Sequence, residues 1–570
     1  MNILGINCVY HESSAAISVN GRIIAAAEEE RFNRIKHGKQ ALVDNADTLP
    51  VESIKFCLMA AGLKPQDIDL IACSFDFEIR RDTFQLDPLS NDGDWGSATG
   101  ERKFLRSVES IPEAVSNLLG IDSETRFRWV PHHIAHAASA YYPSGDEQAA
   151  VLVVDGIGES ATALLGGGNG TKIHQKLELT YPNSIGFVWE KFSSFLGFSS
   201  YDACKVMGLA TYGDASRYAD EFNSIASAGS DLAVRSDLFQ FRSEQEFDGL
   251  ESIFGARRQP AETVETRHAD LAAALQAWNN QTILGLAQSV YDIHPASTLC
   301  YSGGVALNCT TNWMLKEKGP FSNVFIPTAP HDAGTAIGAA LWAYYESDKD
   351  ILLTPSELTP YMGPSYGDDD ILEAFAEAGV AAVRSPNIEI EVAERIADGE
   401  VVGWFQGRME LGPRALGNRS LVADPRNPNM RNVLNRKVKH REDFRPFAPS
   451  VLEDRAREWF ELGRDSESYR YMLYTCPVRP EKASQIPAVL HIDGTARVQT
   501  VSAEENLRYH NMISAFERIT GVPMVLNTSF NDSEPIVCSP RDALATFAGT
   551  RIDAVAIGDY IASRVDQDFD

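Results

Sequence analysis

The 570-residue chain contains no apolar run long enough to cross a bilayer. A spanning helix needs about 20 consecutive apolar residues, whereas the longest stretches here, such as Ala149–Val154, have the length of a strand. The N-terminus lacks a basic segment followed by an apolar run and a small-residue cleavage site; Met1–Asn7 reads as a first strand, so secretion is not expected. Cysteine is sparse and scattered (Cys8, Cys57, Cys73, Cys204, Cys300, Cys309, Cys476, Cys538), the nearest pair nine residues apart and no CxxC among them. That pattern argues against a thiolate zinc site and a disulfide framework, and fits a reducing cytoplasm. Positive charge is in deficit: the formal net charge is −28. Such a chain repels phosphate backbones, so nucleic acid is a disfavoured partner, and no membrane partner is indicated. There is no low-complexity segment, no P-loop and no dinucleotide fingerprint.

Hydrophobic content of 44% and charged content of 23% are those of an ordinary globular protein. The length exceeds one core, and at roughly 100–200 residues per domain it predicts three or four folding units. An internal repeat organises the first part. Ile3–Asn7, Ala15–Val19 and Arg22–Ala27 read as strands, the last two joined by Asn20-Gly21. Ala149–Asp155, Ala161–Leu165 and Lys172–Leu177 read the same way, the last two joined by a glycine-rich turn ending in Asn169-Gly170. Asn-Gly between apolar runs is a strong hairpin signal. From Asn7 to the turn asparagine is 13 residues, and from Asp155 to its counterpart 14. Two β-β-β units followed by helices predict a duplicated α/β fold of the kind found in actin-like and sugar-kinase-like ATPases. Arg267–His294 has the apolar spacing of a long helix, Thr298–Tyr301 and Val324–Ile326 are short strands, and Ala336–Tyr345 is a small-residue helix. Between Asp348 and Gly367 the chain turns polar, with Pro355, Pro360 and Pro364, which places a domain boundary at 352/353. A second α/β domain follows, with strands at Val401–Phe405 and Pro523–Leu526.

Several constellations can carry chemistry. Pro131-His132-His133-Ile134-Ala135-His136 reads as a helix start, so His132 and His136 share one face a turn apart. Two such histidines are either unremarkable helix residues or a metal pair. Asp155, at the end of a buried strand, and Asp332, in the loop after Val324–Ile326, would complete a mixed nitrogen and oxygen set. That set suits iron(II) or a similar divalent ion better than calcium. Ser302-Gly303-Gly304-Val305-Ala306-Leu307-Asn308 after a strand, and Asp155-Gly156-Ile157-Gly158, can bring backbone amides to an anion. His11 and Lys36-His37 flank the first hairpin unit and Lys205 lies in a helical stretch; each is open to a plain structural role. Residues 401–450 hold ten Lys/Arg against four Asp/Glu. They form either a solvated basic face or a pocket, and interleaving with Gly, Pro and apolar residues favours the pocket. Arg414 and Arg419 lie beside a Gly-Pro turn; Lys439, Arg445, Arg497 and the run Asn527-Thr528-Ser529-Phe530-Asn531 follow. Several guanidinium groups around one site suit a phosphate or a nucleotide.

At these residues the chain resembles the O-carbamoyltransferases of the NodU/CmcH family. The resemblance runs over essentially the whole chain: the opening with His11, Ala27–Phe32 with Lys36-His37, His132–Tyr142, Asp155-Gly156, Lys205–Ala210, Ser302–Asn308, Asp332, Gly407–Ser420 and Asn527–Asn531. It implies an α/β protein with a duplicated actin-like (TsaD-like) N-terminal domain, 1–352, and a YrdC-like α/β C-terminal domain, 353–570. It implies that the C-terminal domain makes carbamoyl adenylate from carbamoyl phosphate and ATP, with Mg²⁺ as a candidate further ion. The N-terminal domain then passes the carbamoyl group to a hydroxyl of a small molecule, as in antibiotic or other secondary metabolism. Carried over, the Fe(II) ligands are His132, His136, Asp155 and Asp332, and His11 and Lys36 fall at the transfer site. Gly156, Lys205, Gly303, Gly304 and Asn308 fall to nucleotide or adenylate binding. Arg414, Lys439, Arg445, Arg497 and Ser529 line the carbamoyl phosphate and ATP pocket. An oligomer is compatible with all of this.

Two other readings compete. A tRNA threonylcarbamoyl-transfer enzyme shares both domain types, but the −28 charge disfavours tRNA. An actin-like ATP-binding protein would explain the repeat and the glycine loops, but neither the His/Asp set nor the arginine-rich second domain.

Overall fold

The computed structural model describes residues 1–122, 126–229, 232–243, 246–348, 350–354, 358–439, 441–442, 444–463 and 467–564; Pro355, at the expected boundary, lies outside them. The chain divides into two compact units. One comprises Met1–Asn33 and His37–Leu358, the other Arg34–Lys36 and Thr359–Asp570.

The first unit is a duplication, visible strand for strand. β1 (Asn2–Asn7), β2 (Ser14–Val19), β3 (Arg22–Glu28), β4 (Leu70–Cys73) and β5 (Phe127–Trp129) form a sheet in the order β3-β2-β1-β4-β5. β6 (Gln148–Val154), β7 (Ala161–Asn169), β8 (Lys172–Thr180), β9 (Thr298–Ser302) and β10 (Asn323–Phe325) form a second, in the order β8-β7-β6-β9-β10. In each the first three strands are antiparallel and the last two join parallel to the first. The mixed α/β fold is therefore the duplicated actin-like one expected. Both first strands are buried along nearly their whole length because helices cover them, which is why they read as continuous apolar runs.

One local expectation is corrected. The glycine run Gly166–Gly168 is not a turn but the last part of β7, paired with β8, and the reversal falls after Asn169. A Cβ on Gly168 would stand 2.2 Å from the Tyr141 ring, and one on Gly167 2.2 Å from the His294 ring. Close packing, not backbone freedom, selects glycine there.

Four helices position the candidate site residues: α1 (His132–Ser144), α2 (Ala203–Ala210), α3 (Thr266–Ile293) and α4 (Thr335–Ser347). α1 and α4 cross so closely that a Cβ on Gly338 would stand 1.8 Å from the Ala135 carbonyl oxygen. The alanine-rich sequence of α4 is what allows this approach, and it draws the start of α1 to the loop preceding α4.

The second unit is built on an eight-stranded mixed sheet. Its strands are β11 (Val383–Arg384), β12 (Val402–Phe405), β13 (Arg419–Ala423), β14 (Ala448–Leu452), β17 (Gln499–Val501), β18 (Met524–Ser529), β19 (Ala554–Ile557) and β20 (Tyr560–Ser563), in the order β11-β20-β19-β12-β13-β18-β14-β17. β15 (Thr475–Pro477) and β16 (Thr495–Arg497) pair separately. Most neighbours are antiparallel; β12 with β19 and β14 with β17 are parallel. All eight cysteines are free thiols. No helix among the described residues is long and apolar enough to cross a membrane.

Candidate functional site

The duplicated unit brings four separated residues to one buried point. His132 and His136 project from the first turns of α1, Asp155 follows β6, and Asp332 precedes α4. His132 Nε2 lies 3.4 Å from Asp155 Oδ2 and 3.6 Å from Asp332 Oδ1; His136 Nε2 lies 3.7 and 3.3 Å from the same oxygens. Donors about 2.1 Å from one ion at tetrahedral corners stand about 3.4 Å apart. The spacing therefore fits a shared cation better than a set of direct hydrogen bonds.

The surrounding contacts fix which atoms face inward. His132 Nδ1 donates to the Ser74 carbonyl at 3.0 Å, so its Nε2 carries the lone pair in the neutral ring. Ser302 Oγ donates to the Pro330 carbonyl at 3.1 Å and stands 3.4 Å from His136 Nδ1, whose N–H it can accept. That orients His136 Nε2 toward the aspartates, and this buried nitrogen has no hydrogen-bond partner. Asp155 Oδ1 accepts the Gly304 amide at 2.9 Å, leaving Oδ2 for the centre. Glu159 holds the start of α1, accepting the His132 and Asp76 amides at 2.8 and 2.7 Å. Burial raises the carboxyl of Asp155, but the two imidazoles facing it outweigh this and hold the group well below the usual range. Two buried carboxylates side by side are costly without a countercharge. The donor set, the orphaned nitrogen and the outer hydrogen bonds all fit a divalent ion of the iron or zinc kind.

The glycine loops serve this centre. Gly303 has φ 96°, and a Cβ there would stand 2.2 Å from the Val154 carbonyl oxygen. Gly304 spends its amide on Asp155, and Gly156 follows Asp155 beside Ser184, whose hydroxyl donates to the Gly156 carbonyl at 2.6 Å. Asn308 caps the next helix, accepting the Thr311 amide at 3.1 Å, and exchanges hydrogen bonds with Gln276 of α3 at 3.0 and 3.2 Å. Lys205, on α2, pairs with Asp202 at 3.1 Å.

His11 lies in the β1–β2 loop with its ring centroid 5.3 Å from that of Tyr201, edge to face. The same tyrosine stacks on His37 at 4.6 Å. His37 Nδ1 donates to Glu12 Oε1 at 2.5 Å. Lys36, by contrast, is exposed and groups with the second unit. Glu12, Tyr201 and His331 were not singled out from sequence. Only His331, adjacent to Asp332, offered a signal, and Glu12 and Tyr201 are one-letter events in polar loops.

In the second unit Lys439 and Ser529 meet directly. Lys439 Nζ donates to the Ser529 carbonyl at 2.7 Å, to its Oγ at 3.2 Å, and to Asn531 O and Oδ1 at 2.7 Å each. Burial lowers the Lys439 ammonium well below its ordinary range, and the charges of Arg441 and Arg445 add to this. Arg414 sits on a loop pinned by Glu410, whose Oε1 accepts the amides of Leu416 at 2.8, Asn418 at 2.8 and Arg419 at 3.2 Å. Asn527 of β18 ties that loop to the sheet, donating to Ala415 O at 3.1 Å and to Gln499 Oε1 at 3.0 Å, two residues from Arg497. The two arginines of the Gly-Pro loop part company. Arg419 is fully buried, spends its guanidinium on the carbonyls of Gln406, Gly407, Asn418, Cys538 and Pro364, and lies over the Phe405 ring. Arg414 is half-buried, with an unpartnered Nε. Arg419 is therefore a fold residue. Arg419→Ala is expected to cost about 3 kcal/mol or more, through carbonyls left without donors; urea unfolding of the full chain checks this.

A duplicated α/β unit with a buried imidazole and carboxylate centre, in one chain with a unit where Lys439 lies near Arg441 and Arg445, has the make-up of a group-transfer enzyme. The family comparison makes this specific. The model for the carbamoyltransferase N-terminus matches residues 2–341 and that for the carbamoyltransferase C-terminus residues 393–564, and the chain belongs to the carbamoyltransferase family. Among relatives, nodulation protein NolNO of Sinorhizobium fredii is 38% identical over 98% of this chain and 80% of its own length. An uncharacterized Synechocystis protein, sll1178, is 36% identical over 99% of this chain and 97% of its own. HypF of T. kodakarensis, a solved structure, is 15% identical, with a TM-score of 0.30 over 63% of this chain and 49% of that one.

Proposed function

We propose that the chain is an ATP-dependent O-carbamoyltransferase acting on a small hydroxylated molecule, with adenylation assigned to its second unit and transfer to its first. The observation that carries this reading is the division of charge between the units. A cluster of ligand-type carboxylates and imidazoles lies in one, and Arg414, Arg445 and Arg497, with the hydrogen-bonded pair Lys439 and Ser529, in the other.

In the second unit water would release phosphate from carbamoyl phosphate, leaving carbamate. A carbamate oxygen would then attack the α-phosphorus of ATP, giving carbamoyl adenylate and pyrophosphate. Cationic groups favour this step by stabilising the phosphate and pyrophosphate charge as it develops. Carbamate decomposes in water, so the intermediate must be enclosed. In the first unit the acceptor hydroxyl oxygen would attack the carbamoyl carbon, AMP would leave, and the hydroxyl proton would pass to a base. His11 is the base we assign, an imidazole in an aromatic setting beside Tyr201. His132, His136, Asp155 and Asp332 would hold the divalent ion, iron(II) on the family's pattern. Such an ion supplies Lewis acidity toward a carbonyl or phosphoryl oxygen.

The test uses the full chain with ATP, isotopically labelled carbamoyl phosphate and a pool of hydroxylated metabolites. Pyrophosphate should appear only when carbamoyl phosphate is present, and mass spectrometry should find an acceptor carrying the labelled carbamoyl group. ATP turnover indifferent to carbamoyl phosphate would support a plain actin-like ATPase instead.

A further inference from the structure

A second group of ligand-type atoms lies in the same unit and has no part in the reaction above. Glu12 follows β1, Glu28 ends β3, and His331 directly precedes Asp332. One oxygen of each glutamate and one His331 nitrogen lie within 4.8 Å of one another. His331 Nε2 stands 3.7 Å from Glu12 Oε2 and 3.7 Å from Glu28 Oε1. Both distances exceed hydrogen-bond reach, and neither ring nitrogen of His331 has a hydrogen-bond partner, although the residue is only 6% exposed. The His331 ring thus faces one oxygen of each glutamate beyond hydrogen-bond reach, at nearly the spacing of the first centre.

The outer atoms are committed elsewhere, which aims the inner ones. Glu12 Oε1 accepts from His37 Nδ1 at 2.5 Å, so Oε2 faces His331. Glu28 Oε2 accepts from Arg31 Nε at 3.1 Å and Nη2 at 2.8 Å, so Oε1 faces His331. Glu12 and His37 both adopt left-handed backbone, with φ 53° and 64°. Left-handed conformations in non-glycine residues cost energy and collect at functional sites. Without a cation, a protonated His331 is ion-paired with both carboxylates at 3.7 Å, yet it donates a hydrogen bond to neither.

We propose that Glu12, Glu28 and His331 form a second divalent-cation site, distinct from the His132/His136/Asp155/Asp332 centre and next to it in the chain through His331-Asp332. One imidazole and two carboxylates suit Mn²⁺, Fe²⁺ or Zn²⁺, and three protein donors leave positions for water or another oxygen ligand. The proposal does not depend on the carbamoyl-transfer reading.

The test is metal stoichiometry of the full-length protein, stripped with chelator, reloaded with Mn²⁺ and desalted. Wild type should hold about two ions per chain, and Glu12→Gln, His331→Asn and His136→Ala about one each. Glu12→Gln keeps an acceptor for His37 and nearly the same shape; His331→Asn is the independent second variant. In wild type, magnetic coupling between the two Mn²⁺ spins should broaden the EPR spectrum, and each single variant should remove it. If wild type holds one ion that His136→Ala loses while Glu12→Gln and His331→Asn keep it, the second site is wrong and the first stands. If the single ion is lost from Glu12→Gln and His331→Asn but kept by His136→Ala, the second site stands and the first assignment fails. Two ions in wild type and in both Glu12→Gln and His331→Asn, or none in wild type, also overturn the proposal.

Discussion

His136→Ala is expected to empty the four-donor centre and to slow carbamoyl transfer by about 10³-fold, several kcal/mol of transition-state stabilisation. The residue supplies the one nitrogen of the centre that has no hydrogen-bond partner, 3.3 Å from Asp332 and 3.7 Å from Asp155. Its removal leaves two carboxylates facing a single imidazole. Elemental analysis and a single-turnover transfer assay on the same preparation check both halves of the expectation. Because the residue is fully buried, His136→Gln serves as the larger control, and far-UV circular dichroism shows whether either variant folds. Fully active enzyme that contains no metal would remove the ion from the mechanism altogether.

The grouping was partly legible before the fold, since spacing and strand ends offered the residues, but spacing left a plain helix pair open and the family resemblance joined the four. His132 and His136 share a helical face by spacing alone, and Asp155 closes an apolar run that reads as a buried strand. The duplication was legible for the same reason, since alternating strands and an Asn-Gly reversal recur at nearly equal intervals. What could not be read depends on burial and on distant partners. Arg414 and Arg419 look equivalent in the Gly-Pro loop, yet one is bound to backbone carbonyls in the interior and the other keeps an unpartnered nitrogen. The glycines after Leu165 carry the composition of a turn, but they are chosen by the aromatic rings of Tyr141 and His294, which no local pattern announces. Glu12, Glu28 and His331 come from three separate segments, joined only because β1 and β3 share a sheet and the α4 loop lies beside them. Lys36 is adjacent in sequence to His37, yet the two fall into different compact units. Neighbouring sequence positions were no guide there.

Arg414→Ala and His11→Ala are expected to break different half-reactions, which makes them a test of the division of labour. Arg414 stands on a loop whose amides are gripped by Glu410, and the residue is half-buried. Truncating it should therefore leave the fold intact and delete a fixed positive charge. Losing one charge-assisted contact of roughly 2–4 kcal/mol corresponds to about 30–1000-fold in the rate of pyrophosphate formation. His11 lies in the β1–β2 loop of the first unit, with its ring against Tyr201. His11→Ala should leave carbamoyl-phosphate-dependent pyrophosphate release near the wild-type rate for a single turnover. It should slow delivery to the acceptor by on the order of 100-fold, the scale of a lost general base. Supplying carbamoyl adenylate directly bypasses the first step. Arg414→Ala should then recover transfer, whereas His11→Ala should gain nothing over carbamoyl phosphate plus ATP. Each variant assayed with each substrate gives a result that no general loss of folding can imitate, because a misfolded chain would fail in every combination. Recovery of His11→Ala by the adenylate, with none for Arg414→Ala, would exchange the roles assigned to the two units.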